Sequence, residues 1–188
     1  MKVSPFIVSS LLTYGATPSP VPKPPSKPDD LAEKPALSTT PILSPTSRAL
    51  SEISTEFRVN TYTEGSQASP SITSLADGGF VVVWSSSGQD GSGTGVYAQR
   101  YGATGEKAGD EFRVNTYTEG HQSYPSITSL ADGGFVVAWQ SDGQDDSGWG
   151  VYAQRYGATG EKAGGEFRVN TYTEDFQSHP SITSLADG

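Results

Sequence analysis

The sequence predicts an all-β fold of tandem four-stranded antiparallel repeats, propeller-blade-like but incomplete, after a disordered proline-rich N-terminal segment. Glycine (22) and proline (13) make up about a fifth of the 188 residues, and only 34% are hydrophobic, which suits short strands and turns. Ten of the thirteen prolines precede residue 50. From residue 56 onward, the sequence repeats itself every 55 residues. These three observations set the fold class.

The N-terminal segment divides into residues 1–16 and 17–55. The second part contains the run PSPVPKPPSKP at 18–28. Each proline there lacks an N–H donor and restricts the residue before it, so we expect a disordered linker. Residues 1–16 have a modestly apolar middle and small residues at the end, and they loosely resemble a secretory signal, although Pro5 interrupts the apolar run. A signal and an unstructured terminus remain alternative interpretations.

The repeats cover residues 56–110, 111–165 and 166–188. The first two differ at nine of 55 positions, and the third stops after 23 residues, just before an apolar segment that follows in both earlier copies. We interpret this ending as that of a truncated product or gene fragment.

Local patterns predict four strands in each repeat, near 71–75, 80–85, 96–101 and 112–118 in the first. Pro70 should stand at the first position of the first strand, where its missing donor is tolerated. Asp77 and Gly78 then predict a two-residue hairpin turn with both residues at positive φ. Successive residues of the second strand point to opposite faces of the sheet, and the residues on both faces are apolar. We therefore expect it to be an inner strand of a sheet that is covered on both sides.

Four antiparallel strands in about 55 residues, repeated in tandem, are typical of a β-propeller blade. A closed propeller needs roughly four to eight blades, more than this chain supplies. Stacked or unclosed β-repeats are the main alternative. A parallel solenoid usually has shorter repeats, and an immunoglobulin-like sandwich needs about 100 residues per domain.

Charge and composition exclude several classes of function. The net charge is −9, with +1 in residues 1–55 and −10 in residues 56–188, so the backbone of a nucleic acid would be repelled. Cysteine is absent, which excludes disulfides and thiolate-ligated metals. A run of about 18 apolar residues is also absent, so we predict no transmembrane helix.

The set PSITSLADGGFVVVW, GVYAQRYGATG and GEFRVNTYT resembles a tandem repeat of very large exported bacterial proteins. Such proteins often also carry haemolysin-type (RTX) calcium-binding repeats and adhesin-like modules. The resemblance covers residues 56–188 and implies a secreted or cell-surface location. The glycine-rich nonapeptide that coils around calcium in RTX proteins is absent, so the resemblance does not carry calcium binding over.

No catalytic constellation is predicted. Asp77, Asp132 and Asp187 recur once per repeat and are interpreted as turn formers rather than catalytic acids. A glycosidase needs two carboxylates at a defined separation, and no isolated, non-repeated acid suggests such a pair. His121 and His179 lie in different phases of the repeat, and we expect both to be solvated loop residues.

A divalent cation is the one cofactor that the sequence leaves open. Calcium prefers six to eight oxygen ligands, and the loop QSDGQDDSGWG at 140–150 is rich in oxygen donors. Asp142, Asp145 and Asp146 are the candidate ligands. The spacing does not match the EF-hand loop, and the first repeat offers only Asp90 here, so a solvated acidic turn is the alternative.

The differences between the first two repeats predict where a ligand would bind. They are Ser66/His121, Ala68/Ser123, Ser69/Tyr124, Val83/Ala138, Ser85/Gln140, Ser87/Asp142, Gly91/Asp146, Thr94/Trp149 and Asp110/Gly165. Seven of the nine fall in the loops before the first strand and after the second, which in an antiparallel meander emerge at the same edge. Relaxed constraint on surface loops is one explanation. The other is a ligand-binding edge with the contact residues His121, Tyr124, Asp142, Asp146 and Trp149.

The function predicted from the sequence is a non-enzymatic repeat module of a secreted or surface bacterial protein, serving in adhesion, ligand binding or as a spacer. Its partner would be an extracellular glycan or protein. A calcium-stabilised array and a fragment of a propeller-type glycoside hydrolase are the alternatives. Because incomplete repeats expose apolar faces, we also expect the isolated chain to self-associate.

Overall fold

Strands, turns and loops make up all of the chain that is described by the computed structural model, which comprises residues 2–3 and 56–185. The strands are β1 Lys2–Val3, β2 Phe57–Arg58, β3 Gln67–Ser74, β4 Phe80–Ser87, β5 Thr94–Tyr101, β6 Phe112–Arg113, β7 Gln122–Ser129, β8 Phe135–Asp142, β9 Trp149–Tyr156 and β10 Phe167–Arg168. Within the described ranges, no helix has the length and apolar character needed to cross a bilayer. The predicted linker at 17–55 and Asp187 lie outside these ranges, as does the signal-like segment apart from β1.

Two four-stranded antiparallel sheets confirm the predicted all-β fold. Their strand orders are β3-β4-β5-β6 and β7-β8-β9-β10, so each sheet is a simple meander that follows the chain. The short strand β1 pairs with β2 in a separate antiparallel ladder. Closure of such sheets into a ring stays a prediction.

The inner strand β4 is buried on both faces, as its sequence predicts. Val81 and Val83 pack into a core shared with the second sheet, together with Val137 and Trp139 of β8. Val82 and Trp84 face the other way, into a smaller cluster. The two sheets therefore stack face to face, and the larger core lies between them.

The first long strand begins earlier than predicted. It starts at Gln67, and Pro70 stands inside it rather than at its first position. The pairing with β4 shifts between Ala68 and Ser71, and Ser69 adopts a positive φ of 51°. Because proline cannot donate to the ladder, this β-bulge is what lets the strand pass through Pro70.

The predicted two-residue turn was wrong. The backbone N–H of Gly78 donates to the carbonyl of Leu75 (3.1 Å), and Leu75 donates to the carbonyl of Gly79 (2.8 Å). Gly78 has a positive φ of 85°, whereas Asp77 does not. This is the three-residue hairpin loop whose last residue is left-handed, a position that favours glycine.

The predicted fourth strand at 112–118 was too long, because β6 ends at Arg113. Val114 still donates its N–H to the carbonyl of Val96 (2.8 Å). Beyond it, the side-chain Oδ1 of Asn115 accepts the N–H of Val96 (2.7 Å). A side chain thus takes the place of the backbone ladder.

The third repeat contributes β10 to the second sheet and then runs on without forming a strand. The repeat of the strand predicted at 71–75, expected near 181–185 in the third copy, was therefore wrong. The third repeat still lies against the second sheet, where the N–H of His179 donates to Gln140 Oε1 (3.0 Å) and that of Ile182 donates to Ser126 Oγ (3.3 Å). An extended segment needs a neighbouring strand to form a ladder, and the described residues supply none.

Candidate functional site

The two loops that differ most between the repeats meet at one edge of each sheet, as the meander predicts. Ser87 donates its N–H to the carbonyl of Ser66 (2.9 Å), and in the second repeat Asp142 donates to the carbonyl of His121 (2.9 Å). We call the edge formed by residues 64–69, 85–94 and their counterparts in later repeats the variable edge.

Three of the five predicted contact residues are neighbours at the variable edge. Asp142 and Trp149 are partners in the ladder between β8 and β9, and His121 lies beside Asp142. Asp146 is exposed in the adjoining loop, with a positive φ of 66°. Tyr124, also within the variable edge, lies at the bulge of β7.

The variable positions of one repeat touch those of the next. Thr94 Oγ1 lies 3.3 Å from Nδ1 of His121. Ser85 Oγ accepts the N–H of Tyr124 (3.2 Å), and the equivalent pair one repeat later is Gln140 with His179. Substitutions at this edge therefore change the boundary between repeats as well as the surface.

Tyr124 opens onto a cleft where all three repeats meet. Ser69, Tyr124 and His179 occupy the same position in successive repeats, with φ of 51°, 52° and 55°. The cleft is shallow and widely open to solvent, with a volume of about 280 Å³. Its lining residues are Ser69, Pro70, Ser71, Tyr124, Pro125, Ser126, His179 and Pro180.

The rings of Tyr124 and His179 are in contact with each other in the lining of the cleft. Their centroids are 4.3 Å apart at an interplanar angle of 46°, and Tyr124 remains 45% exposed. His179 is exposed, as expected, but its pairing with Tyr124 was not predicted. The signal that points to it is its place in the repeat, 55 residues after Tyr124 and, like it, directly before a proline.

The candidate calcium ligands share one loop but do not converge. In the described part of the chain, no three histidine, aspartate or glutamate side chains are grouped so that they could hold a metal ion. The side chain of Asp145 is only 2% exposed, and its nearest charged partner is Arg168, with Nη1 3.8 Å from Oδ2. Neither carboxylate oxygen of Asp145 has a hydrogen-bond partner.

The opposite edge carries the turns that do not vary. Asp77 Oδ1 accepts the N–H of Gly79 (2.9 Å) and Asp132 Oδ1 that of Gly134 (3.0 Å), which confirms both aspartates as turn formers. The Gly134 N–H and the nearby Arg155 hold the pKa of Asp132 below its usual value. At this edge, the two aspartates therefore stabilise the backbone of their turns.

No family model, curated protein or solved structure matches this chain. The likeness to repeats of large exported bacterial proteins therefore stays a prediction from the sequence.

Proposed function

We propose that the repeats form a non-enzymatic ligand-binding module of a secreted or cell-surface bacterial protein, acting in adhesion. The observation that carries this proposal is the cleft at which Ser69, Tyr124 and His179 meet. One position that differs in every repeat lies on a shared, accessible surface, where a change of side chain alters recognition without disturbing the core.

The contrast between the two edges supports this assignment. At the invariant edge, Arg100 of β5 donates from its guanidinium to the carbonyls of Ala158 (2.8 Å) and Thr159 (2.5 Å) in the next repeat. Its side chain is 14% exposed. Bonds between repeats occur at both edges, but only the variable edge changes its exposed side chains from repeat to repeat. That difference supports the variable edge as the surface for a partner.

The test is a screen of the full chain against arrays of glycans and extracellular proteins. Replacing both Tyr124 and Trp149 by alanine should abolish binding to any ligand found, while the melting temperature stays unchanged. The matched control is Asp132→Ala at the opposite edge, which should leave binding intact. Binding that survives the double substitution but is lost in the control would place the ligand on the other edge.

A calcium-stabilised array remains the second candidate, because the unbonded oxygens of Asp145 are buried. The neighbouring guanidinium of Arg168 already neutralises this carboxylate, which opposes cation binding. If the proposed ligand-binding function is right, the melting temperature should be the same in the presence of calcium and in the presence of a chelator. A melting temperature that rises with calcium, and a rise that Asp145→Asn removes, would favour the array instead.

A further inference from the structure

We propose that the cleft lined by Ser69, Tyr124 and His179 binds a neutral, linear polysaccharide, with the ring of Tyr124 stacked on one sugar. This inference rests on the proposed ligand-binding function and names the class of ligand.

The backbone at the three positions is left-handed, with φ between 51° and 55°. This conformation favours glycine over residues that carry a Cβ, and it is uncommon for serine and tyrosine. The N–H groups of Tyr124 and His179 are held by side chains of the preceding repeat. A β-bulge re-aims a side chain, and the bulges of β3 and β7 present Ser69 and Tyr124 to the cleft. His179 reaches the same cleft from the extended segment of the third repeat.

The chemistry of the lining matches a carbohydrate. A sugar ring has an apolar face and a rim of hydroxyls. The half-exposed ring of Tyr124 provides a flat apolar surface on which the apolar face of the sugar can stack. The hydroxyls of Ser69, Ser71 and Ser126 can donate hydrogen bonds to the sugar hydroxyls and accept hydrogen bonds from them.

The charge of the cleft and of the repeats favours a neutral carbohydrate over an anionic one. The residues that line the cleft carry no carboxylate, ammonium or guanidinium group. Residues 56–188 have a net charge of −10, counted as 7 basic minus 17 acidic residues, so an anionic glycan is repelled on approach.

The repeat geometry favours a linear polymer. Equivalent positions from three successive repeats line one cleft, so a ligand with its own periodic units can contact each position in turn. A proline-rich peptide would be the rival occupant, but grooves for such peptides are lined by aromatic rings. This cleft instead combines the rings of Tyr124 and His179 with serine and proline.

The experiment titrates the full chain with cello- and chito-oligosaccharides from mono- to hexasaccharide. A heparin hexasaccharide and a polyproline peptide serve as the anionic and peptide probes. We expect binding of one neutral series, with affinity rising with length until the cleft is spanned. Tyr124→Ala should weaken this binding about tenfold, the loss of one aromatic stacking contact. Tyr124→Phe keeps the ring and should bind like the wild type.

Two further variants test whether the ring at the cleft is what binds the sugar. Tyr172→Ala removes another exposed tyrosine that does not line the cleft, and it should bind normally. Ser69→Tyr adds a second ring at a φ that Tyr124 already tolerates, so it should strengthen binding. A melt of each variant checks that it is folded.

Failure of this inference is distinguishable from failure of the proposed function. Binding of neutral oligosaccharides that is unaffected by Tyr124→Ala overturns it, as does binding of heparin or polyproline alone. In either case, the proposed ligand-binding function still holds if Trp149→Ala abolishes binding of the ligand that was found, because the ligand then contacts the variable edge outside the cleft. If none of the probes and no array ligand binds, both proposals are wrong.

Discussion

Asn115 shows how a single side chain stabilises each repeat. Its Oδ1 accepts the N–H of Val96 (2.7 Å), and its Nδ2 donates to the carbonyl of Tyr117 (2.7 Å) and to Gln122 Oε1 (3.1 Å). Asn115 is buried, so its removal leaves the N–H of Val96 without a partner. We expect Asn115→Ala to lower the free energy of unfolding by about 1–3 kcal/mol in urea denaturation.

Asn170 provides the matched control. It makes the same three hydrogen bonds one repeat later, to Val151, Tyr172 and Gln177, but it is only partly buried. Water can replace those bonds, so Asn170→Ala should cost less than Asn115→Ala. Equal losses would show that burial does not set the strength of this network.

The buried tyrosines predict how stability depends on pH. Burial, followed by the charge of Glu111, raises the pKa of Tyr101 from about 10 to about 12. Burial also raises the pKa of Tyr156. Above pH 10 the unfolded chain loses these protons first, so this part of the stability is complete below about pH 10 and declines as pH rises toward 12. Urea denaturation across this range should show the decline.

Tyr101→Phe tests the assignment of that pH dependence. Phenylalanine does not titrate, so the variant should lose less stability than the wild type between pH 10 and about 12. An unchanged slope would assign the effect to other groups. The variant also removes the hydroxyl that donates to the carbonyl of Val59 (3.3 Å), so its stability at neutral pH is the reference for comparison.

At the scale of elements, a strand of one sheet is joined to a turn of the next through Arg100. Arg100→Ala removes both hydrogen bonds to the carbonyls of residues 158 and 159. Because these bonds involve a charged donor that is mostly buried, the free energy of unfolding should fall by about 1–3 kcal/mol. Thermal and urea denaturation measure this loss.

Arg155 is the same residue one repeat later and serves as the control. Its side chain is 51% exposed and pairs with Asp132 at the surface. Exposed pairs contribute about 1 kcal/mol or less, so Arg155→Ala should cost less than Arg100→Ala. A larger cost for Arg155→Ala would contradict the role assigned to the contact between repeats.

At the scale of the whole molecule, the apolar surface beside the second sheet predicts self-association. Val59 and Val114 are 0% exposed, whereas Val169 at the same repeat position is 53% exposed, and Phe167 beside it is 50% exposed. Exposed apolar patches of this kind drive association. Sedimentation of the isolated chain should therefore depend on concentration, and replacing Val169 and Phe167 by serine should weaken that dependence.

Tyr124→Ser is the control for this prediction, because Tyr124 is 45% exposed and lies at the bulge of β7 rather than beside β10. It should leave the association unchanged. A monomer at all concentrations, with a cooperative melt that does not vary with concentration, would contradict the expected self-association.

The sequence by itself determined the repeat period, the strand faces and the inner position of β4. These follow from local rules, since side chains alternate along a strand and apolar residues on both faces require cover on both sides. Phe80, Val82 and Trp84 lie together on one face, as their spacing predicts. The edge at which the variable loops emerge also follows from the meander.

Only the tertiary structure decided where strands end, how β3 passes its proline, and what faces the cleft. Each depends on a contact between residues far apart in sequence. Val96 N–H takes a side-chain acceptor 19 residues away, which ends the fourth strand. The ring contact of Tyr124 with His179 forms between repeats, where residues 55 positions apart with the same left-handed backbone lie side by side. Local periodicity carries no information about such contacts, because it describes one strand and not its neighbours.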